Sequence, residues 1–153
     1  MNDIVFPTAG VSGSLTLEEH YLLLMAPVDA RVRAVIEERV LPEPRERAAV
    51  DALARRFGLR REVVRRLEVR VRACLADLPP FHAAAFVRRA EALAARLGPR
   101  APLDAETTRR ALAEALADVS PASEPTVRRL LLHIADYHTR DGWLVRADAG
   151  ETG

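Results

Sequence analysis

Hydrophobic residues recur every three to four positions along most of this chain, and prolines and glycines separate the periodic segments. Apolar positions at this spacing form one face of an α-helix. Thr16 and Glu19 have the spacing of a capping box, in which both side chains satisfy free amides at a helix start, and they predict a helix to about Met25. Asp29 is placed to cap the next helix. The apolar face of that helix contains Val32, Val35, Ile36 and Val40.

The rest of the chain predicts five further helices, which turn residues separate. Their approximate bounds are 47–57, 60–77, 81–97, 104–118 and 123–139. Asp141-Gly142 predicts a turn, and residues 143–145 are the one tail segment with the pattern of a short strand. The sequence therefore predicts an all-α protein.

Residues 49–68, AVDALARRFGLRREVVRRLE, have the pattern of a helix-turn-helix. Such a motif needs a small residue where its two helices cross and a glycine in the turn four residues later, because glycine tolerates the positive φ of that turn. Ala54 and Gly58 meet these two requirements. The apolar residues around the turn and on the inward side of the second helix are Leu53, Phe57, Leu59, Val64 and Leu67. A plain helical hairpin with an arginine-rich surface is the alternative.

Positive charge is concentrated in this region. The 153 residues carry a net charge of +1, and every one of the 23 cationic side chains is arginine. Residues 55–72 nevertheless hold eight arginines against two glutamates, a local excess of six positive charges. A short basic stretch in a nearly neutral chain is typical of a polyanion-binding protein, although a solvated helix face can have the same composition.

The outward positions of the second helix carry the candidate chemistry. A recognition helix enters the DNA major groove with its first residues on base edges and flanking arginines on phosphates. Arginine can donate two hydrogen bonds to guanine, and glutamate can accept one from cytosine. The candidate DNA-binding residues are Arg56, Arg60, Arg61, Glu62, Arg65 and Arg66.

Residues 29–75 resemble region 4 of bacterial sigma factors, closest to the heat-shock type. The first helix resembles the family pattern D-x-R-x-R-x-I-I-x-x-R-x-L. Its matching residues are Asp29, Arg31, Arg33, Val35, Ile36, Arg39 and Leu41. The supporting helix resembles L-A-x-R-F/Y-G through Leu53, Ala54, Arg56, Phe57 and Gly58, and the recognition helix resembles R-E-R-V-R-Q-L-E through Arg61, Glu62, Val64, Arg65, Leu67 and Glu68.

The resemblance implies a domain that reads the promoter −35 element in the major groove and docks on the flap of the RNA polymerase β subunit. By position, Arg61 and Glu62 match base-contacting residues, and Arg65 matches a phosphate-contacting residue. Arg66 stands where the family has glutamine, which implies a change in the preferred bases. Val63 replaces a phosphate-binding arginine.

The start of the supporting helix also departs from the family pattern. Ala49 or Val50 replaces the family's threonine and removes an expected backbone contact to DNA. Too few residues precede Asp29 for the sigma domains that melt the −10 element and bind the polymerase clamp. We therefore expect a sigma-like module within a small accessory transcription activator, of which the activators of gene-transfer-agent promoters are one family to consider.

The predicted organisation is a helix-turn-helix domain followed by a small helical C-terminal domain. The predicted segments are a flexible arm (1–14), a sigma region 4-like domain (15–79), a helical domain (80–146) and a disordered tail (147–153). The expected function is a DNA-binding transcription regulator in the cytoplasm, associated with the nucleoid. The expected partners are double-stranded promoter DNA, RNA polymerase and a further transcription factor. The alternative is a helical adaptor that binds a sigma factor or RNA polymerase by mimicking region 4 without reading DNA.

Residues 104–139 could form a second helix-turn-helix, with a wing beginning at 143–145. The segment ADVSPASEP between those helices lacks the alanine and glycine spacing of the motif, so the sequence favours an ordinary helical pair. The stripe Val127, Leu130, Leu131 and Ile134 is expected in the core.

Other kinds of chemistry have little support in the sequence. His133 and His138 are five positions apart, which turns them away from each other on one helix, and His20 and His82 have no ligand cluster nearby in the sequence. Neither a phosphate-binding loop nor a nucleophile elbow is present. We therefore expect no metal, no cofactor and no enzymatic activity. No segment has the length of a membrane span, and the single cysteine, Cys74, is predicted to be buried.

Overall fold

The computed structural model describes residues 15–147, which are mostly helical and include a small antiparallel sheet. The helices are α1 (Leu17–Met25), α2 (Ala30–Val35), α3 (Val50–Phe57), α4 (Arg61–Leu75), α5 (Pro80–Leu97), α6 (Glu106–Ala115) and α7 (Glu124–Ile134). The strands are β1 (Arg100–Pro102), β2 (Tyr137–Arg140) and β3 (Trp143–Arg146). The predicted arm and residues 148–153 of the predicted tail lie outside the described residues.

The first unit consists of α2, α3 and α4. The Asp29 side chain accepts a hydrogen bond from the Arg31 amide at 2.8 Å and so caps α2, as the sequence predicts. A π-helical turn, Ile36–Val40, continues α2, and a 3-10 turn, Pro44–Glu46, leads toward α3. Helix α4 packs against both α2 and α3, so the three helices share one side of the core.

The second unit runs α5, β1, α6, α7, β2 and β3 along the chain, with the strands in the order β1-β3-β2. Strand β3 is antiparallel to both neighbours and pairs Leu144 with Ala101 on one side and with Thr139 on the other. Asp141 and Gly142 connect β2 to β3 with φ values of 51° and 83°. Two positive φ values are what a tight two-residue hairpin turn requires. This connectivity is that of a winged helix.

The sheet corrects the all-α prediction in part. The predicted helix 123–139 ends at Ile134, and its last predicted residues form β2 instead. Asp136 takes a positive φ of 64°, which stops the helix and turns the chain into the strand. Strand β1 was not predicted because its three residues carry no alternating pattern and gain their hydrogen bonds only from β3. The hairpin of β2 and β3 lies where the sequence suggested a wing. Whether α6 and α7 act as a helix-turn-helix or as an ordinary helical pair stays a prediction.

Helix α1 joins the two units. The predicted capping box is confirmed: the Thr16 hydroxyl accepts from the Glu19 amide, and the Glu19 carboxylate accepts from the Thr16 amide. The helix packs on α5 and α7, and its Tyr21 hydroxyl donates to Glu37 of the π-helical turn at 2.5 Å. Helix α1 comes before residue 79 in the chain but packs on α5 and α7, which come after it. The predicted domain boundary between residues 79 and 80 stays a prediction.

Most of the buried apolar residues of both units and of α1 form one hydrophobic cluster. Its largest fully buried side chains include Leu17, Tyr21, Leu53, Val64, Phe86, Leu93, Val127, Leu130, Leu131 and Leu144. Cys74 is exposed, which corrects its predicted burial, because the inward stripe at that end of α4 is formed by Val71 and Leu75. Among the described helices, none combines the length and apolar character that crossing a membrane requires.

Candidate nucleic-acid interface

A glycine turn sets the geometry between α3 and α4. Gly58 has φ 64° and ψ 38°, the left-handed conformation that glycine adopts with the least strain. The Leu59 amide donates to the Ala54 carbonyl at 2.8 Å, which closes the end of α3. Ala54 is itself buried, and α3 packs directly on α4. The small residue and the glycine thus occupy the positions that the sequence pattern assigned to them.

Helix α4 has one buried stripe and one exposed face. Val64, Val71 and Leu75 are buried against the rest of the unit. Arg61 begins the helix and Arg60 is its N-cap residue. The exposed positions along the first three turns are Arg60, Arg61, Glu62, Arg65, Arg66, Val69 and Arg70. The positive charge predicted for this helix therefore points away from the core.

Two of the six candidate residues are engaged in ion pairs. Arg61 Nε lies 2.8 Å from Asp51 on α3, and both side chains are 59% exposed. Arg56 Nη2 lies 2.6 Å from Glu38, and its guanidinium also covers the Phe57 ring at 5.1 Å. Exposed ion pairs of this kind contribute little to stability, so the arginine can leave its carboxylate and bind another anion at small cost.

The other four candidates are free of such pairs. Arg60, Glu62, Arg65 and Arg66 make no ion pair within residues 15–147. They lie together on the first two turns of α4, and Arg56 lies across the glycine turn at the end of α3. The structure thus brings the predicted residues of α4 together on one exposed face, whereas Arg56 is paired with Glu38 at the end of α3.

Glu68 is turned away from the exposed face. Arg39, in the π-helical turn, donates to the Glu68 carboxylate at 3.1 Å and to the Ala48 carbonyl at 2.9 Å. The side chains of Arg39 and Glu68 are only 17% and 12% exposed. Of the two glutamates in α4, only Glu62 therefore remains on the arginine face, which makes that face more positive than the sequence count suggests.

Val69 is a candidate contact residue that the sequence reading missed. It is 68% exposed and lies among the outward positions of α4. Helical spacing alone distinguishes it, because the inward series Val64, Leu67, Val71 and Leu75 skips it. An exposed apolar side chain on such a face could contact a thymine methyl group.

The start of α3 lacks a side-chain cap. Ala49 is the N-cap residue, with the extended backbone of φ −68° and ψ 142° that capping residues adopt, and no side chain accepts from the first amides. The threonine expected from the sigma resemblance would lie at this helix start. Its absence leaves amides of the first turn without an intrahelical partner.

Helix α7 holds the place in the second unit that α4 holds in the first, but its outward face is directed toward the first unit. Arg129 Nη2 donates to Glu46 of the 3-10 turn at 2.9 Å. Leu132 and His133 line a cleft whose opposite wall is Val40–Pro42. The outward face of α4 near its N-terminus is not covered in this way.

Two histidines that are 62 positions apart in the sequence meet between α1 and α5. The Nδ1 atoms of His20 and His82 lie 3.0 Å apart, and the Phe81 ring packs against both. Burial lowers the pKa of each imidazole, and the neighbouring His82 lowers that of His20 further. Over residues 15–147, no three or more His, Cys, Asp or Glu side chains are grouped to hold a metal ion.

No protein-family model, curated protein or solved structure matches this chain. The likeness to sigma region 4 therefore depends on the quoted residues alone.

Proposed function

We propose that this protein is a DNA-binding transcription regulator that contacts double-stranded promoter DNA through α3 and α4 acting as a helix-turn-helix. The observation that carries the proposal is the exposed face of α4, on which Arg60, Arg61, Arg65 and Arg66 lie together while the opposite stripe is buried. A helix with this distribution can enter the major groove without any change in the core.

The residues on this face have distinct roles in the proposal. Arg61 and Glu62, in the first turn of α4, contact base edges, while Arg65 and Arg66 neutralise phosphates or extend the base contacts. Arg61 exchanges its exposed pair with Asp51 for a guanine edge or a phosphate. Val69 adds an apolar contact deeper along the helix.

The sigma-like arrangement also supports engagement of RNA polymerase, and we propose that the protein acts as an activator that works with the polymerase at its promoters. The polymerase β flap is the proposed contact, as in the family that residues 29–75 resemble. In a winged helix, α7 would be the helix that reads DNA. Here the outward face of α7 is directed toward the first unit, so α7 is not accessible to DNA in this arrangement. DNA contact is therefore assigned to α4.

Fluorescence anisotropy with the full chain and a panel of promoter duplexes tests the DNA contact. The affinity should fall steeply with salt, because each neutralised phosphate releases counterions. Arg61→Ala should cost about 1–3 kcal/mol on the preferred duplex and relax sequence choice, whereas Arg65→Ala should weaken all duplexes alike. Arg110→Ala, on the exposed side of α6, is the matched control and should bind like the parent.

The adaptor alternative predicts a different outcome of the same series. If the arginine face binds an acidic protein surface instead, duplex DNA should not bind measurably and the protein should capture RNA polymerase equally well with and without promoter DNA. A duplex affinity that neither Arg61→Ala nor Arg65→Ala changes would count against the proposed reading helix.

A further inference from the structure

A cleft of about 420 Å³ lies between the two units, on the side away from the N-terminal turns of α4. One wall comes from the segment between α2 and α3, and the other comes from α7, β2 and β3. This volume falls in the range of pockets that hold small organic molecules. The cleft is distinct from the proposed DNA contact and calls for its own explanation.

The cleft combines an apolar floor with a cationic rim. The floor contains Val40, Leu41, Leu132 and Leu144. The cationic or basic side chains are Arg47, Arg72, Arg129, His133 and His138, and the one acidic residue in the lining is Glu43. Arg129 is paired with Glu46 and Arg72 lies near Glu68, two carboxylates outside the lining. Arg47 donates to a backbone carbonyl and makes no ion pair within residues 15–147.

The arginines keep donors available for a ligand. Arg47 uses Nε to donate to the Pro42 carbonyl at 3.3 Å, and Arg129 uses Nη2 to donate to Glu46 at 2.9 Å. Arg72 lies 3.7 Å from Glu68, too far for a strong hydrogen bond. A guanidinium has five N–H donors, so each group is positioned by one contact and has others to offer.

His133, on α7, is a further basic side chain in the cleft. His133 is exposed overall, but its imidazole ring is partly buried, and this burial lowers the pKa of the imidazole. The charge of Asp136 raises that pKa, and the charge of Arg72 lowers it. An anion in the cleft would oppose the effect of Arg72 and would favour the protonated imidazole. The same anion could then accept hydrogen bonds from both side chains.

A second cavity next to the cleft indicates which end of the cleft an anionic group would occupy. It shares Glu43, Pro44 and Thr139 with the cleft but adds the acidic residues Glu46 and Asp141, with Arg45 as its one cationic lining residue. Charge complementarity therefore excludes an anionic group from that end. The anion belongs at Arg47 and Arg72, because Arg129 is paired with Glu46 of the acidic cavity. An apolar ring belongs on the leucine floor.

We propose that this cleft binds a small organophosphate of mononucleotide size, with its phosphate at the arginine rim and its flat ring on the floor. A phosphate dianion suits a rim with several guanidinium groups, because arginine binds it through parallel, charge-assisted hydrogen bonds. The ligand contacts both units at once. Its binding therefore stabilises their present arrangement and raises the melting temperature of the whole chain.

Isothermal titration calorimetry with the full chain tests the site, using phenyl phosphate, inorganic phosphate and benzyl alcohol as three separate probes. Phenyl phosphate carries both the ring and the dianion and should bind about tenfold more tightly than inorganic phosphate; the neutral alcohol should not bind measurably. Arg72→Gln and His133→Gln, both at exposed positions of the cleft, should each weaken phenyl phosphate binding severalfold, and together about tenfold or more.

Arg65→Gln is the matched control, because it removes one arginine from the exposed face of α4 and none from the cleft. It should leave phenyl phosphate binding unchanged. Circular dichroism melting of each variant establishes that it is folded, and His133→Gln on α7 serves alone if the Arg72 variant unfolds. Equal affinity for phenyl phosphate and inorganic phosphate, or equal loss in the Arg65 variant, would overturn the proposal. Because none of these measurements contains DNA, their failure leaves the proposed DNA contact untouched.

Discussion

Arg39 and Glu68 form a largely buried ion pair that fixes α4 to the π-helical turn. The Arg39 guanidinium donates to both carboxylate oxygens of Glu68, at 3.1 and 3.3 Å, and also to the Ala48 carbonyl. The π-helical turn widens the end of α2 at the point where Arg39 leaves it. The Arg39 side chain thereby connects the π-helical turn, α4 and the segment that leads into α3. These three segments position the arginine face.

Arg39→Ala should destabilise the protein by about 3 kcal/mol, because it leaves the largely buried Glu68 carboxylate with only Arg72, 3.7 Å away, as a cationic partner. The double variant Arg39→Met with Glu68→Leu should recover much of that loss, since it removes both charges. Urea unfolding followed by circular dichroism measures each value. Arg110→Ala removes the exposed pair with Glu106 and should cost less than about 1 kcal/mol. Equal costs for the Arg39 and Arg110 variants would contradict the structural role of the buried pair.

Gly58→Ala should destabilise the first unit by about 1–2 kcal/mol through backbone strain. A Cβ at this position meets nothing within 4 Å, so a steric clash contributes nothing to the cost. Gly58→Asn should cost less, because asparagine tolerates the left-handed conformation better than alanine. Thermal melting of the two variants provides the comparison. An alanine variant as stable as the parent would show that the turn does not hold φ near 64°.

Ala49→Thr should stabilise the protein by about 1 kcal/mol. Its backbone already has the extended conformation of an N-cap residue, and a hydroxyl there can accept from an amide of the first turn of α3. The control is Ala52→Thr, at an exposed position within α3, where a β-branched residue should be neutral or slightly unfavourable. Chemical denaturation of both variants decides the sign, and a gain at both positions would argue against capping as its cause.

Acid should loosen α1 from the second unit. Glu18 accepts from the Ser120 amide and from the hydroxyls of Ser120 and Ser123, and hydrogen bonds lower its pKa. The pKa of Asp118 is also lowered: burial opposes the shift, but hydrogen bonds from Arg89 and the Leu17 amide outweigh it.

The His20 and His82 imidazoles, whose pKa values burial lowers, act in the same direction as the carboxylates. All four groups take up protons at a higher pH in the unfolded chain than in the folded one. Stability should therefore fall as the pH drops, first below about 6.5 through the histidines and then below about 4.5 through the carboxylates.

Hydrogen exchange of the α1 amides and thermal melting, both measured from pH 7.5 to pH 4, test this dependence. His20→Gln should reduce the loss of stability between pH 7 and pH 5. His138→Gln, at an exposed position of β2, is the matched control and should follow the parent. Exchange rates in α1 that, after correction for intrinsic chemistry, stay constant to pH 5 would contradict the prediction.

The helices and the candidate site followed from local features. The capping box of Thr16 and Glu19, the cap at Asp29 and the spacing of Ala54 and Gly58 predicted elements that the structure contains. The outward positions of α4 could be predicted because the period of an α-helix determines which residues share a face. The contact of this face with DNA stays a prediction.

The sheet and the cleft depended on the way distant segments pack. Strand β1 is three residues long and exists because β3 supplies its hydrogen bonds, and β2 lies where helical spacing alone continued α7. His20 and His82 become neighbours, and Arg47 and His138 line one cleft, only after the two units and α1 have assembled.

The sequence by itself therefore determined the helices, the glycine turn and the arginine-rich face, because each of these depends on residues within a few positions of one another. The tertiary structure decided the sheet, the inward turn of Glu68 and the cationic cleft. Each of those needs partners from remote parts of the chain, and helical or strand periodicity carries no information about which remote segments will meet.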